Sequence, residues 1–260
     1  MASVWAKQNL AAATEWARQL ADPGERQGGL ISIAYEVVRG NPIEAINLAI
    51  ELPGDRARND LITHSASEWA AKNPKDAVAW ALQVDDETLR QRLLAATATA
   101  WAGKEPAAAA NMVVASLPPG KPQEDAVMGI VQQWVQRDPR ETVAWVLKFP
   151  GGPLQDTALE EVVKLWVDRD PVRAGEWVRK LDGDHRDAAV AAYAGKLTLR
   201  SLEAAGEWAQ SIRDETLRTR AMENVAESWM TSDPAAARRW ISSALLPEPT
   251  RSRLLAPQSN

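Results

Sequence analysis

The chain has 260 residues, 45% of them hydrophobic and 25% charged, and its 30 Lys and Arg against 35 Asp and Glu give a formal charge of −5. That sign argues against a nucleic-acid partner, which requires a basic face, and the lack of cysteine excludes disulfides, thiolate metal ligation and cysteine nucleophiles. Twelve Trp stand beside two Tyr and one Phe, and this skew carries the fold reading.

The first 20 residues contain Lys7, Glu15 and Arg18 and no apolar core, so no signal peptide is predicted there. No run of 18 apolar residues predicts a membrane span. From Trp5 onward a register repeats. Its first slot holds Trp5, Val37, Trp69, Trp101, Trp134, Trp166, Leu197 and Trp229. A Pro slot follows at Leu10, Pro42, Pro74, Pro106, Pro139, Pro171, Leu202 and Pro234, in steps of 31 to 33 residues. The second aromatic slot holds Trp16, Leu48, Trp80, Met112, Trp145, Trp177, Trp208 and Trp240, so every tryptophan of the chain falls in a slot. Residues 86–92 (DETLRQR) return four periods later as 214–220 (DETLRTR). Self-similarity at a fixed period identifies a repeat architecture before any local pattern is weighed.

Each unit reads as two helices. Leu94, Thr97, Ala98 and Trp101, like Leu159, Val162, Val163 and Trp166, form one stripe of period 3.6, which predicts a helix A of roughly 13–16 residues ending about three residues past the first slot. The next residue is Asn9, Asn41, Asn73, Asp138, Asp170, Ser201 or Asp233, with Glu105 as the exception, and Pro follows in six units. A short polar N-cap before Pro at the first helical position predicts the start of a helix B of roughly 10–11 residues. Glu44, Asp76 and Glu141 add the expectation of a capping box. Ala174, Trp177 and Val178 typify its inward face, and Thr142 is the break in the small-residue slot. Loops such as Pro53-Gly54-Asp55, Pro118-Pro119-Gly120, Pro150-Gly151-Gly152 and Asp182-Gly183-Asp184 close the units. Residues 247–255 echo 86–94 and open a further helix A. Neither end shows a polar capping repeat, so the chain is expected to be a segment of a longer protein or to stack end to end.

No helix of this kind buries its stripe alone, so the units must stack. The expected fold is all-α, a right-handed α-solenoid superhelix of about eight 32-residue helix-turn-helix repeats, forming a single array over 1–260. Trp5, Trp16, Trp69, Trp80, Trp101, Trp134, Trp145, Trp166, Trp177, Trp208, Trp229 and Trp240 are its structural core.

Candidate sites are few. Lys72, Lys104, Arg137, Arg169 and Arg200 recur three residues after the first slot. They read first as charges complementing helix C-termini, and second as an acidic-ligand groove for a partner. Asp182, Asp184, His185 and Asp187 have a faint calcium-loop look without the required Gly and Glu, which favours a solvated turn. His64 reads as a surface or packing residue. Residues 183–202 are the least regular, with Tyr193, Leu197 and Leu202 off consensus. Nucleophile-elbow, P-loop, dinucleotide and zinc-protease motifs do not occur. No catalytic residues, metal ligands or cofactors are expected.

The helix pairs resemble the tetratricopeptide-like α-solenoids over the whole chain, although the period is 32 and Pro opens helix B, as in Asp138-Pro139 and Asp233-Pro234. Prenyltransferase α-subunit repeats also carry Trp in helix pairs, but their W-x-x-R signature does not recur. The D-P-x-x-A-x-x-W unit is similar to arrays in large bacterial proteins of unassigned role, which implies a bacterial source and no activity. The resemblance implies a non-catalytic scaffold for a protein or peptide, with no nucleic acid and no membrane span. The alternatives are a structural spacer that self-associates end to end and, below both, an all-helical enzyme. The compartment is not fixed by any of these features.

Overall fold

A computed structural model describes residues 2–183 and 185–256, and among them there are seventeen helices and no strand. The chain falls into two compact units, Met1–Trp134 and Val135–Asn260. The first holds α1 (Ala2–Gln8), α2 (Leu10–Arg18), α3 (Pro23–Val37), α4 (Pro42–Ile50), α5 (Arg56–Lys72), α6 (Pro74–Ala81), α7 (Glu87–Ala102), α8 (Pro106–Ser116) and α9 (Lys121–Trp134). The second holds α10 (Pro139–Val146), α11 (Pro153–Arg169), α12 (Pro171–Lys180), α13 (Arg186–Leu197), α14 (Leu202–Gln210), α15 (Glu215–Ser232), α16 (Pro234–Ser243) and α17 (Glu248–Leu255).

Each even-numbered helix begins at its Pro slot, and in six of the eight the residue before it caps it with its side chain. Asn9 accepts from the Ala12 amide, Asp138 from Glu141, Asp170 from Arg173 and Ser201 from Ala204. Asn73 and Glu105 make no such side-chain bond. The expected capping box is only half formed at Asn41, and at Asn73, before Asp76, the side-chain half is missing as well. Asn41 accepts from the Glu44 amide at 3.2 Å, but its own amide already donates to Val37 O at 2.7 Å. The same bond, from N-cap amide to first-slot carbonyl, recurs at Asn73, Asp170 and Asp233. It joins the two helices of a unit and leaves nothing for an acidic side chain to cap.

The ends of helix A differ from expectation. α5, α11 and α15 run three residues past the slot, but α3, α9 and α13 stop at it. There the last turn tightens to bonds spanning three residues, as in Gly40 N to Val37 O and Arg200 N to Leu197 O. Helices α6 and α10 shorten to 8 residues for the same reason, with Gln83 N bonding Trp80 O and Lys148 N bonding Trp145 O.

Within each unit the long helices pack on their long neighbours and on the short helices either side: α5 on α4, α6 and α7, and α13 on α12, α14 and α15. Their stripes bury Leu61, Leu93 and Ile130 in the first unit, and Leu159 and Met222 in the second. The tryptophans are graded, a refinement of the uniform core expected of them. Trp101, Trp134, Trp145, Trp166 and Trp229 are buried, Trp69, Trp80, Trp177, Trp208 and Trp240 half-buried, and Trp5 and Trp16 remain 39% and 38% exposed. In four repeats the two rings lie against each other, with centroids 6.1, 6.0, 5.9 and 5.6 Å apart. In the pairs Trp166–Trp177 and Trp229–Trp240 the first ring is buried and the second keeps an edge in solvent, whereas Trp5 and Trp16 are exposed alike.

Candidate functional site

The predicted basic row is first a set of ties. Lys72 donates to Arg39 O, Arg169 to Gln136 O, and Arg200 to Asp168 O at 3.2 Å. Within the first unit Arg39 O lies just past the end of α3, and within the second Asp168 O lies in the last turn of α11, where partial negative charge collects. The complement to a helix C-terminus is therefore made to the neighbouring helix rather than to the residue's own. Lys104 and Arg137 are engaged as well.

A second polar ladder was legible in the sequence at the same spacing but was obscured by its mixed residue types: Arg26, Arg90, Gln123, Gln155 and Arg218 near the starts of long helices. Arg90 donates to Val84 O at 2.7 Å, Gln123 to Leu117 O at 3.0 Å, Gln155 to Phe149 O at 2.9 Å and Arg218 to Ile212 O at 3.0 Å. These bonds satisfy loop carbonyls that no helix reaches, so the ladder is structural.

The loop with a calcium-like look does other work. Asp184 lies outside the described residues. Asp187 accepts from the amides of Arg213 and Asp214 at 2.9 and 2.7 Å and from Arg186 at 3.0 Å. Burial pushes its carboxyl up, but those donors outweigh it and hold it below the usual carboxylate range. Among the described residues no three His, Asp or Glu gather to hold a metal. His64 is exposed, with its ring 5.8 Å from Tyr35, and His185 Nδ1 lies 3.6 Å from Asp156.

Two residues of the basic row do come together. Arg137 and Arg169 line a hollow of about 490 Å³ in the second unit, with Arg140, Arg173, Asp138, Asp170 and Trp166. Lys72 and Lys104 belong to the first unit, and Arg200 sits on Asp168 O beside the hollow rather than lining it. Sequence periodicity does not single out Arg140 and Arg173, because neither recurs from repeat to repeat. They occupy the first turns of α10 and α12, where a cation opposes the helix dipole. The other first turns hold Ala11, Ile43, Ala107, Glu203 or Ala235 at the position of Arg140, with Lys75 as the one other cation.

Asp170 offsets Arg173 at 3.5 Å, whereas Arg140 forms no ion pair among the described residues. The Oδ1 atoms of Asp138 and Asp170 are committed to the Glu141 and Arg173 amides, at 2.9 and 3.0 Å. The lining thus sets four arginines against two aspartates, an excess of about two positive charges, with Arg169 also donating to Gln136 O and Arg137 engaged as well. Such a surface binds carboxylate or another oxyanion through paired N–H donors.

No helix among the described residues is long and apolar enough to cross a membrane. No family model matches the chain, and no curated protein matches it. Among solved structures it is similar to the crystal structure of Ton1535 from Thermococcus onnurineus NA1, with 15% identity over 96% of this chain and 95% of that one, at a TM-score of 0.30. A likeness at that score carries no argument about fold or function.

Proposed function

We propose that the chain is a non-catalytic scaffold that holds a protein or peptide partner, built as a right-handed α-solenoid of tetratricopeptide-like helix pairs. The observation that carries this reading is the arginine-lined hollow of the second unit, whose chemistry serves recognition. The stacking of long helix on long helix within each unit supports the solenoid. The functional step rests on analogy with other stacked-repeat proteins. A photocrosslinker placed at the exposed Gln136 tests it. The expected result is a defined protein that, once purified, titrates the chain to saturation. A chain that captures nothing and instead turns over a small molecule would overturn the proposal.

A second reading, self-association, is favoured by the apolar surface that the exposed Val4, Trp5 and Trp16 offer. Sedimentation velocity over a range of concentrations separates the two, since self-association raises the mean mass with concentration and a partner scaffold alone does not.

A further inference from the structure

We propose that the hollow between the α10 and α12 turns binds a short acidic segment of a partner protein, whose Asp and Glu side chains seat against Arg140 and Arg173. This rests on the scaffold reading and names the chemistry of its partner. Stability does not account for Arg140, which forms no ion pair among the described residues, and accounts for Arg173 only through an exposed contact with Asp170 at 3.5 Å. Both stand in the first turn of a helix, where Asp or Glu is the favoured residue and Arg the disfavoured one. A residue that breaks a local rule beside a cavity points to a role outside the fold.

The occupant follows from charge. The whole chain carries −5, so a long polyanion such as nucleic acid is repelled as it approaches. Within that negative chain, Arg137, Arg140, Arg169 and Arg173 exceed Asp138 and Asp170 by about two charges and form an island of net positive sign. A segment with a few carboxylates matches an island of that extent. A hollow of about 490 Å³ holds several side chains rather than one ion.

The test uses the full chain and a short fluorescent peptide alternating Glu and Ser, with a Gln-Ser peptide as control. The Glu-Ser peptide alone should bind, and should weaken as salt rises from about 0.05 to about 0.5 M. Arg140→Glu and Arg173→Glu should each weaken it about tenfold, through loss of a charge-assisted contact. Both substitutions put an acid in a helix first turn, so their melting temperatures should hold or rise, and lost binding then cannot be lost folding. Lys75→Glu, the matching change in the first unit, should leave binding unchanged.

Absence of peptide binding, or a double variant that binds as parent, overturns the proposal. So does displacement of the peptide by inorganic phosphate at equal concentration, which would make this a free-anion site, or tighter binding of oligo-dT than of the peptide. A partner crosslinked through another face while the Glu-Ser peptide fails to bind would remove the acidic segment and leave the scaffold. Failure of both would remove both.

Discussion

Tyr193 stands one helical turn before Leu197, the residue that occupies a slot filled by Trp in six of the eight repeats. Its ring lies 4.7 Å from Trp208, so it supplies from the previous turn the aromatic partner that Leu197 lacks. Its hydroxyl donates to Pro171 O at 2.9 Å, and burial pushes the phenol up. The space for it is made by Gly175, where a Cβ would stand inside van der Waals contact of the hydroxyl and 2.9 Å from the ring carbon Cζ. Ala is the better helix former by about 1 kcal/mol, yet Gly175→Ala should destabilise the chain by about 1–3 kcal/mol through overpacking. In a Tyr193→Val background that loss should shrink or reverse. Equal losses in both backgrounds, measured by urea denaturation, would separate the two residues. At the tryptophan slots the contrast is simpler. Trp166→Ala, with its ring 4% exposed, should lose about 3–5 kcal/mol, and the exposed Gln132→Ala less than about 0.5. Similar melting temperatures for these two would mean the indole is not a core residue.

At the scale of elements, the helix starts were more legible than the helix ends. A start is marked by a residue with one job, such as Asp170 before Pro171, and the mark survives as a letter. An end is set by whether the last turn tightens, and α9 and α11 end differently although 134–139 read WVQRDP and 166–171 read WVDRDP. Loops were legible as loops, not as partners. Nothing near Asp187 in sequence announces that it receives the Arg213 and Asp214 amides, because those lie 26 and 27 residues on. It pins the loop after α14 to the start of α13. Asp187→Asn should therefore cost about 1–2 kcal/mol at neutral pH. Because the folded chain holds this carboxyl below its ordinary value, its contribution is complete above about pH 4 and lost as pH falls through the lowered value. Parent and variant should differ most above about pH 5 and converge in acid. Urea midpoints at pH 7 that coincide would show that the clamp contributes nothing.

For the molecule as a whole, the repeat and the helical class were written in the tryptophan and proline spacing, while the candidate site was half visible. Arg137 and Arg169 belong to a periodic row that sequence shows. Arg140 and Arg173 break a period, and their meaning appears only when two helix starts are brought to one hollow. A periodic chain also makes a claim about what can be removed. If stability is a sum of repeats and of contacts between neighbours, excising one full period keeps every slot in phase. Deletion of residues 74–105 joins Asn73 directly to Pro106, so the cap-proline junction that starts a helix B is rebuilt at the seam. That variant should remain helical by circular dichroism and unfold cooperatively, at a somewhat lower midpoint. Deletion of 74–89, half a period, joins the same cap to the interior of α7 and sets long-helix stripes against short-helix positions. It should lose cooperative unfolding. If both deletions unfold alike, the units are not interchangeable, and the array is a fixed assembly that merely has a periodic sequence.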